Sequence, residues 1–265
     1  MPSDTSTQPS AVTDEEQDVN RRYFVHYVQQ TVPPGSVVLD FGCGAGTMVR
    51  MLRARGYDAY GVDIRWPGAD YGDLEGSDLG REGILRLYDE GGPLPFEDDF
   101  FDLVVSDQVF EHVVPIEESL SELERVLKPE GISYHHFPPR SVWREGHIGI
   151  PFSHRLPHGR ARLAYTAALR RAGFGKFKDE RAPREWAVEK LDWVDNWTVY
   201  RPHDEIHAIF GRRWQLGNRE IDYCRFRAGD RWWLRAVLDR PLARRPAEAL
   251  FRRLAFEAIE TRPRR

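Results

Sequence analysis

The sequence contains few cysteines and no long apolar run. Cys43 and Cys224 are its only cysteines among 265 residues, too few for a disulfide framework, which favours a reducing compartment. No run reaches the roughly 18 apolar residues of a membrane-spanning helix. The first residues, MPSDTSTQPSAVTDEEQD, lack the basic start and apolar segment of a secretory signal. We therefore expect a cytoplasmic protein.

A strong charge of either sign is also missing. Lysine and arginine total 38 and the acids total 42, giving a net charge of −4. This balance does not favour DNA as a partner. The charge is uneven, however, because residues 240–265 are rich in arginine. Such a tail is most often a solvated helix face, and contact with a membrane surface is the less favoured alternative. The sequence gives no signal of oligomeric state.

Short apolar runs alternate with amphipathic segments in the first half of the chain. We predict helices over residues 19–32, 47–55 and 116–127, and strands over residues 36–41, 57–64, 84–88, 101–106 and 132–137. Strand and helix that alternate in this way are typical of a doubly wound parallel α/β sheet.

The pattern changes after Pro138 and Pro139. Every tryptophan except Trp66 lies beyond this point. Here we predict helices over residues 158–172, 184–200 and 202–210, and strands over 215–226 and 255–261. The aromatic cluster of the second helix either packs a core or forms a lid over substrate. We divide the chain into a disordered tail (1–18), an α/β core (19–138), a substrate-binding insertion (139–201), and a C-terminal part that completes the sheet and ends in the basic tail (202–265).

A glycine-rich loop follows the first predicted strand in VVLDFGCGAGT. Gly42, Gly44 and Gly46 would let the backbone turn with positive φ and approach a ligand closely. The spacing is GxGxG, whereas a dinucleotide fingerprint would place its third glycine at Thr47. Asp40 ends the strand and faces the loop. A carboxylate there would repel a pyrophosphate and favour a cationic ligand, which argues against a nicotinamide dehydrogenase.

A second acid ends the second predicted strand, in YDAYGVDI. Asp63 lies about 20 residues after the glycine loop, where a carboxylate can accept hydrogen bonds from both hydroxyls of a ribose. Ile64 could then pack against the face of the base. The two strand ends together predict a nucleoside site.

Five ordered motifs extend this pattern, namely VLDFGCGAGT, GVDI, LPFEDDFFDLVVS, FEHV and LERVLKPEG. Over residues 35–138 they resemble the class I S-adenosylmethionine (SAM) dependent methyltransferases, in the branch of ubiquinone, menaquinone and small-molecule methyltransferases. The resemblance implies a Rossmann-like, mostly parallel seven-stranded sheet with a helical, aromatic-rich insertion after the fifth strand. It also implies SAM as cofactor. Residues 65–83 depart from the family because they lack a clear helix.

The resemblance implies roles at the methionine and ribose ends of SAM. Asp40, Gly42 and Gly46 would hold the methionine end. Gly44 would permit close approach of the backbone. Asp63 would bind the ribose.

The resemblance also implies roles at the adenine and at the transferred methyl group. Either Asp89 or Glu90 would bind the adenine amino group, and the departure at residues 65–83 leaves this choice open. Ser106 and Gln108 would line the face where the methyl group is transferred. His112 would lie near that face.

Histidines supply the candidates for a catalytic base. His135 and His136 follow the fifth strand, and at most one of two adjacent strand residues can face the site. His112, His147 and His154 are the preferred candidates for catalysis or substrate contact. His147, His154 and His158 match no zinc-ligand spacing, and no cysteine is near them. We therefore expect no metal.

The favoured function is methyl transfer from SAM to a small-molecule acceptor or to a glycan- or lipid-linked one. Two alternatives stay open: a protein or RNA methyltransferase, and a protein that binds SAM but acts only as a scaffold or partner. DNA is disfavoured because no base-flipping motif of the Asn-Pro-Pro-Tyr type follows the fourth strand.

Overall fold

One mixed sheet forms the centre of the fold. The computed structural model describes residues 14–65 and 74–264. The strands found there are β1 (Val37–Phe41), β2 (Asp58–Ile64), β3 (Leu85–Tyr88), β4 (Phe101–Asp107), β5 (Leu127–Phe137), β6 (Trp214–Asn218) and β7 (Glu257–Pro263). Their order is β3-β2-β1-β4-β5-β7-β6. The first five strands are parallel, and β7 runs antiparallel to β5 and β6. The predicted doubly wound, mostly parallel sheet is confirmed.

Helices cover both faces of the sheet. They are α1 (Asp14–Thr31), α2 (Thr47–Arg53), α3 (Asp78–Arg81), α4 (Ile116–Val126), α5 (Arg160–Arg171), α6 (Pro183–Trp197), α7 (His203–Gly211), α8 (Glu220–Ala228), α9 (Trp232–Leu238) and α10 (Pro241–Leu254). Helix α1 begins at Asp14, within the segment that we expected to be a tail, and residues 1–13 of that tail lie outside the described residues. None of the described helices is long and apolar enough to span a membrane.

Strand β5 begins earlier than its apolar pattern predicts. We expected residues 128–131 to form a turn and the strand to start at Ile132. Instead the strand starts at Leu127, which pairs with Phe101 of β4. A register shift between Phe101 and Leu103 accommodates the additional residues, and Lys128 Nζ donates to Asp102 Oδ1 at 2.7 Å. Pairing with the neighbouring strand therefore extends β5 over the predicted turn.

The prediction of strand over residues 215–226 is half wrong. Residues Trp214–Asn218 form β6, but Glu220–Ala228 form helix α8. The apolar residues that this helix buries are Ile221, Tyr223 and Ala228. They follow one another at intervals of two and five residues, which fit neither a helix nor a strand consistently. Local periodicity cannot separate helix from strand in so short an apolar segment.

Alternating residues of the strands feed two apolar clusters, one on each face of the sheet. Val38 and Val105 point to the face that α1, α2 and α8 cover. Leu39 and Val104 point to the opposite face, which α4 and α7 cover. Because both faces are buried, the central strands are almost continuously apolar, and this is why the sequence pattern predicts them well.

The segment after β5 has an apolar cluster of its own. Ile148, Ile150 and Trp186 are buried together with residues of α6. Helices α5 and α6 pack on each other, so the expected aromatic-rich helical insertion is present. The division of the whole chain into four parts stays a prediction.

The topology places a crevice at the carboxyl end of β1. This strand pairs with β2 on one side and with β4 on the other, so the chain order reverses at β1. Ligands of open α/β sheets bind in the crevice at such a switch point. The glycine loop and the ends of β2 and β4 border this crevice.

Candidate functional site

The glycine loop has the backbone geometry that only glycine adopts at low cost. Gly42, Gly44 and Gly46 have φ values of 80°, 51° and 76°. A Cβ atom on Gly42 would lie 2.3 Å from Val109 Cγ2, and one on Gly46 would lie 2.5 Å from Leu85 Cδ1. The loop therefore requires glycine both for its conformation and for close packing.

Asp63 ties the end of β2 to the glycine loop. Its Oδ2 accepts a hydrogen bond from the Gly44 N–H at 2.7 Å, and its Oδ1 accepts one from the Ile64 N–H at 2.8 Å. The residue is only 6% exposed. Backbone N–H groups thus fix the orientation of this carboxylate at the edge of the crevice.

A cavity of about 360 Å³ extends from the glycine loop to the insertion. The predicted residues that line it are Gly42, Asp63, Ile64, Glu90, Gln108 and His112. Asp89 is not part of its lining, so the structure places Glu90 and not Asp89 on the cavity. Apolar side chains also line it, and so does the segment 195–199 at the end of α6.

A second cavity, of about 250 Å³, lies on the other side of Gly42. Its lining includes the predicted Asp40 together with Asn20, Arg21 and Asp107, three residues that sequence reasoning missed. Asn20 and Arg21 belong to α1, and no sequence motif predicts that this helix lies beside the glycine loop. The polar sequence Asn-Arg-Arg, just before the apolar residues of α1, was the only sequence feature that could have indicated a binding role for this helix.

The second cavity holds two carboxyl groups, of which Asp40 is buried and Asp107 is partly exposed. Burial, followed by repulsion from Asp63 and Asp107, raises the pKa of Asp40 well above its usual value. Burial likewise raises the pKa of Asp107 to about 7, although the nearby Arg21 opposes the shift. Two carboxyls and a guanidinium in one cavity are the groups needed to bind an ammonium and a carboxylate together.

Gln108 lines both cavities, whereas Ser106 lines neither. Gln108 has a positive φ of 58°, which turns the chain at the end of β4 towards the crevice. Ser106 is fully buried, and its Oγ lies 2.8 Å from His135 Nδ1. The Ser106 hydroxyl thus forms a hydrogen bond inside the sheet and does not line either cavity.

Neither histidine of the fifth strand reaches a cavity. His135 is fully buried and its pKa falls to about 3 because of desolvation. His136 is also fully buried, with Nε2 2.6 Å from the Tyr134 hydroxyl. We expected at most one of them to face the site, and neither lines the two cavities, because β7 pairs with this part of β5 and helices cover both faces.

His112 and His147 meet at the insertion end of the larger cavity. Their ring centres lie 5.0 Å apart. His112 Nδ1 is 2.6 Å from the Trp197 carbonyl oxygen, and burial lowers the His112 pKa to about 4. His147 Nδ1 is 2.8 Å from Glu145 Oε1. The structure therefore brings together two of the three predicted catalytic histidines.

Two buried glutamates accompany these histidines. Glu145 accepts hydrogen bonds from the Tyr200 hydroxyl at 2.5 Å and from the Ile148 N–H at 2.5 Å. These donors and the adjacent His147 lower the Glu145 pKa to about 2 in spite of burial. Glu111 is 1% exposed, and neither of its carboxylate oxygens has a hydrogen-bond partner among the described residues. Sequence reasoning considered only the histidine in each motif, FEHV and EGH.

The remaining predicted histidines lie around this group. His154 is half-buried, with Nε2 3.1 Å from the Arg140 carbonyl oxygen and its ring 4.7 Å from that of Tyr200. His158 is mostly exposed and pairs with Asp195. His154 thus belongs to the wall behind the cluster, and His158 belongs to the surface.

The aromatic helix contributes both to the core of the insertion and to the lining of the larger cavity, and its role as a lid over substrate stays a prediction. Trp186 is fully buried in the core of the insertion. Trp197 lines the larger cavity, and the Trp193 ring lies 5.0 Å from the His147 ring. The first half of α6 therefore packs the core of the insertion, and its last turn lines the larger cavity.

Comparison with known proteins agrees with this geometry. Residues 39–135 match a family described as a methyltransferase domain. The 2-methyl-6-phytyl-1,4-hydroquinone methyltransferase of Synechocystis is 34% identical over 117 residues, which cover 41% of this chain and 36% of that protein. A bifunctional methionine biosynthesis protein of Rhodopirellula baltica is 29% identical over 170 residues, covering 60% of this chain and 24% of that protein. The chain thus spans about a quarter to a third of the length of these relatives.

A solved structure shares the fold. A SAM-dependent methyltransferase from Mesorhizobium loti superposes with a TM-score of 0.50 at 16% identity, over 90% of this chain and 96% of that one. The sheet order and the glycine loop are those of a Rossmann-like α/β fold. More specifically, residues 39–135 match a methyltransferase domain, and the fold is that of a solved methyltransferase whose cofactor is SAM.

The residues that line the two cavities have the chemistry needed to bind SAM. The acidic smaller cavity suits the amino and carboxylate groups of its methionine end. The larger cavity offers Asp63 for the ribose and Ile64 and Glu90 for the adenine. These individual roles stay predictions, and the two cavities meet at Gly42.

Proposed function

We propose that this protein transfers the methyl group of SAM to a small-molecule acceptor or to a glycan- or lipid-linked one. One observation carries the proposal: the larger cavity is continuous from Asp63, at the cofactor end, to His112 and Trp197, at the insertion end. An acceptor bound at the insertion end would therefore lie beside the cofactor. A cavity of about 360 Å³ favours a small group over a protein or RNA surface.

SAM would supply a methyl group on a sulfonium, which a nucleophile displaces in line with departure of the thioether. Asp63 would accept hydrogen bonds from the ribose. Asp40 and Asp107 would face the ammonium, and Arg21 would face the carboxylate. The chain's contribution is therefore mainly alignment of two ligands and exclusion of water.

The insertion end would hold the acceptor. His112 is neutral near pH 7 because burial lowers its pKa to about 4, so it would not repel the sulfonium. The apolar wall, which includes Val109, Val113 and Val199, would contact the body of the acceptor. Relatives named as hydroquinone and sterol methyltransferases support an acceptor that is at least partly apolar.

Incubation with methyl-labelled SAM and a fractionated cell extract tests this function. We expect label in the small-molecule or lipid fraction with the wild-type protein and none with Asp63→Ala. Label in protein or RNA would favour the alternative acceptors. A ribosomal protein L11 methyltransferase of Burkholderia vietnamiensis, 31% identical over 114 residues, makes the protein fraction a necessary control. SAM binding without any labelled fraction would favour a non-catalytic role.

A further inference from the structure

The carboxylate of Glu111 is buried without a hydrogen-bond partner in the described part of the chain. Its backbone carbonyl accepts a hydrogen bond from the Val199 N–H at 2.6 Å, which holds the residue against the end of the insertion. A buried carboxylate is stable only when it is protonated or compensated by a cation and hydrogen bonds. Glu111 is therefore either protonated or compensated by a bound cation.

The hydrogen-bond partners of the two nearby imidazoles fix the nitrogen that carries the proton. A carbonyl oxygen only accepts hydrogen bonds, so the 2.6 Å contact with Trp197 puts a proton on His112 Nδ1. The anionic Glu145, 2.8 Å from His147 Nδ1, does the same for His147. In a neutral imidazole the lone pair is then on Nε2. His112 Nε2 lies 4.0 Å from Glu111 Oε1.

We propose that Glu111, His112 and His147 bind a divalent transition-metal ion, with Zn²⁺ as the representative. One ligand atom from each of the three residues lies within 4.8 Å of the others. Tetrahedral zinc ligands at 2.0–2.1 Å from the ion are about 3.3 Å apart, so side-chain movement alone closes the site. Two imidazole ligands favour a transition metal over Mg²⁺ or Ca²⁺.

The surroundings have the form of a second coordination sphere. Ligating histidines donate their other N–H to a carboxylate or a backbone carbonyl, as His147 does to Glu145 and His112 does to Trp197. The spacing of residues in the sequence does not predict this site, because Glu111 and His147 belong to segments that are distant in the chain. Our expectation of no metal considered only the histidines of the insertion.

Three protein ligands leave one coordination position open, as in catalytic zinc sites. His112 lines the larger cavity, so the open position faces the acceptor end. There the ion would coordinate an acceptor hydroxyl and lower its pKa, so that its proton leaves to water and the oxygen attacks the methyl carbon. This catalytic role, and the hydroxyl acceptor that it implies, rest on the proposed function, whereas metal binding does not.

A second cluster of the same composition provides a matched control. His203 Nδ1 is 2.7 Å from Glu257 Oε1, and His207 Nε2 is 3.7 Å from Glu257 Oε2. Arg252 Nε lies 3.9 Å from the same Oε2. His203 and Arg252 thus compensate part of the charge of this carboxylate, although Arg252 Nη1 also lies 2.8 Å from Glu220 Oε1. We assign no metal to this cluster.

The test uses the full chain, stripped with EDTA and titrated with Zn²⁺, Co²⁺ and Mg²⁺. We expect one equivalent of Zn²⁺ or Co²⁺, with a visible Co²⁺ absorption band, in the wild type and in His207→Ala. Loss of an outer-sphere partner alone costs 10–100-fold in affinity, so Glu111→Gln and His147→Ala should lose more than about 100-fold. SAM affinity and circular dichroism confirm that the variants fold.

Several results would overturn the metal site. One is unchanged Co²⁺ binding in Glu111→Gln and His147→Ala, and another is its loss in His207→Ala alone. A preference for Mg²⁺ would contradict the ligand chemistry. Full methyl transfer in EDTA would overturn the catalytic role while leaving the proposed function intact. Absent SAM binding, in contrast, would refute the proposed function whatever the metal content.

Discussion

At the scale of single residues, Gly42 is constrained in two ways that can be separated. Its φ of 80° disfavours any side chain, and an added Cβ would also meet Val109. Gly35 has a similar φ of 87°, but nothing lies within 4 Å of an added Cβ. The pair therefore distinguishes backbone strain from close packing.

We expect Gly35→Ala to cost about 1 kcal/mol in the free energy of unfolding, because left-handed strain is partly offset by a less flexible unfolded chain. Gly42→Ala adds overpacking and should cost about 2–4 kcal/mol. Urea denaturation of both variants measures the difference. Equal losses would show that the contact with Val109 relaxes freely.

Asp63 is the residue on which the nucleoside assignment depends most. We expect Asp63→Ala to weaken SAM binding by about 1.5–3 kcal/mol, the value of hydrogen bonds to a charged group. Asp58→Ala is the control, because Asp58 lies at the opposite end of β2 and pairs with Arg53 at 3.1 Å. Calorimetry on both variants checks the prediction, and an unchanged affinity in Asp63→Ala would remove the ribose role.

Asp107 predicts a pH dependence of cofactor binding. Because its pKa is raised to about 7, the free protein holds this proton at pH 6, and binding of an ammonium would expel it. SAM affinity should therefore rise with pH up to about 7.5, by at most about tenfold per unit, and then level off. The same raised pKa means that its contribution to stability falls as pH rises from about 4 to 7.

The measurement is SAM titration between pH 5.5 and 8.5 in buffers of different ionisation enthalpy. Asp107→Asn should flatten the profile and abolish the proton release. Proton release that persists in this variant would assign it to another group, with Asp40 as the next candidate.

At the scale of elements, local pattern predicts the central strands and fails where distant segments decide the structure. β1 and β4 are buried on both faces, so their apolar runs are sufficient. β5 takes in residues 128–131 because it pairs with β4, and α8 is a helix although its aromatic spacing also suits a strand. The site shows the same division: the glycine loop is local, whereas α1 and Glu111 reach it through the tertiary fold.

Helix α1 is the element whose role was least visible in the sequence. It covers the glycine loop and brings Arg21 into the smaller cavity. We expect Arg21→Ala to weaken SAM binding about tenfold or more, through loss of a charged hydrogen bond to the carboxylate. Methylthioadenosine, which lacks that carboxylate, should bind Arg21→Ala and the wild type equally.

Arg22→Ala controls for the change in charge, since Arg22 is exposed on the same helix. Equal loss in both variants would mean a long-range electrostatic effect. An equal loss of methylthioadenosine affinity would instead mean that α1 is displaced.

At the scale of the whole molecule, the reversal of chain order at β1 concentrates function at one edge of the sheet. In the proposed function, the ends of β1, β2 and β4 supply the cofactor side, and the insertion after β5 supplies the acceptor side. The sequence predicts the first side well because one fold family uses the same strand ends. The second side depends on how the insertion packs, which Glu111, Glu145 and Tyr200 determine through contacts between distant segments.

Calorimetric titration of the purified protein with SAM, S-adenosylhomocysteine and NADH tests the central claim most directly. We predict micromolar binding of the first two ligands and none of NADH, with SAM binding weakened in Asp63→Ala. Binding of NADH, or no binding of SAM to a folded protein, would contradict the assignment of the two cavities to the methyltransferase cofactor.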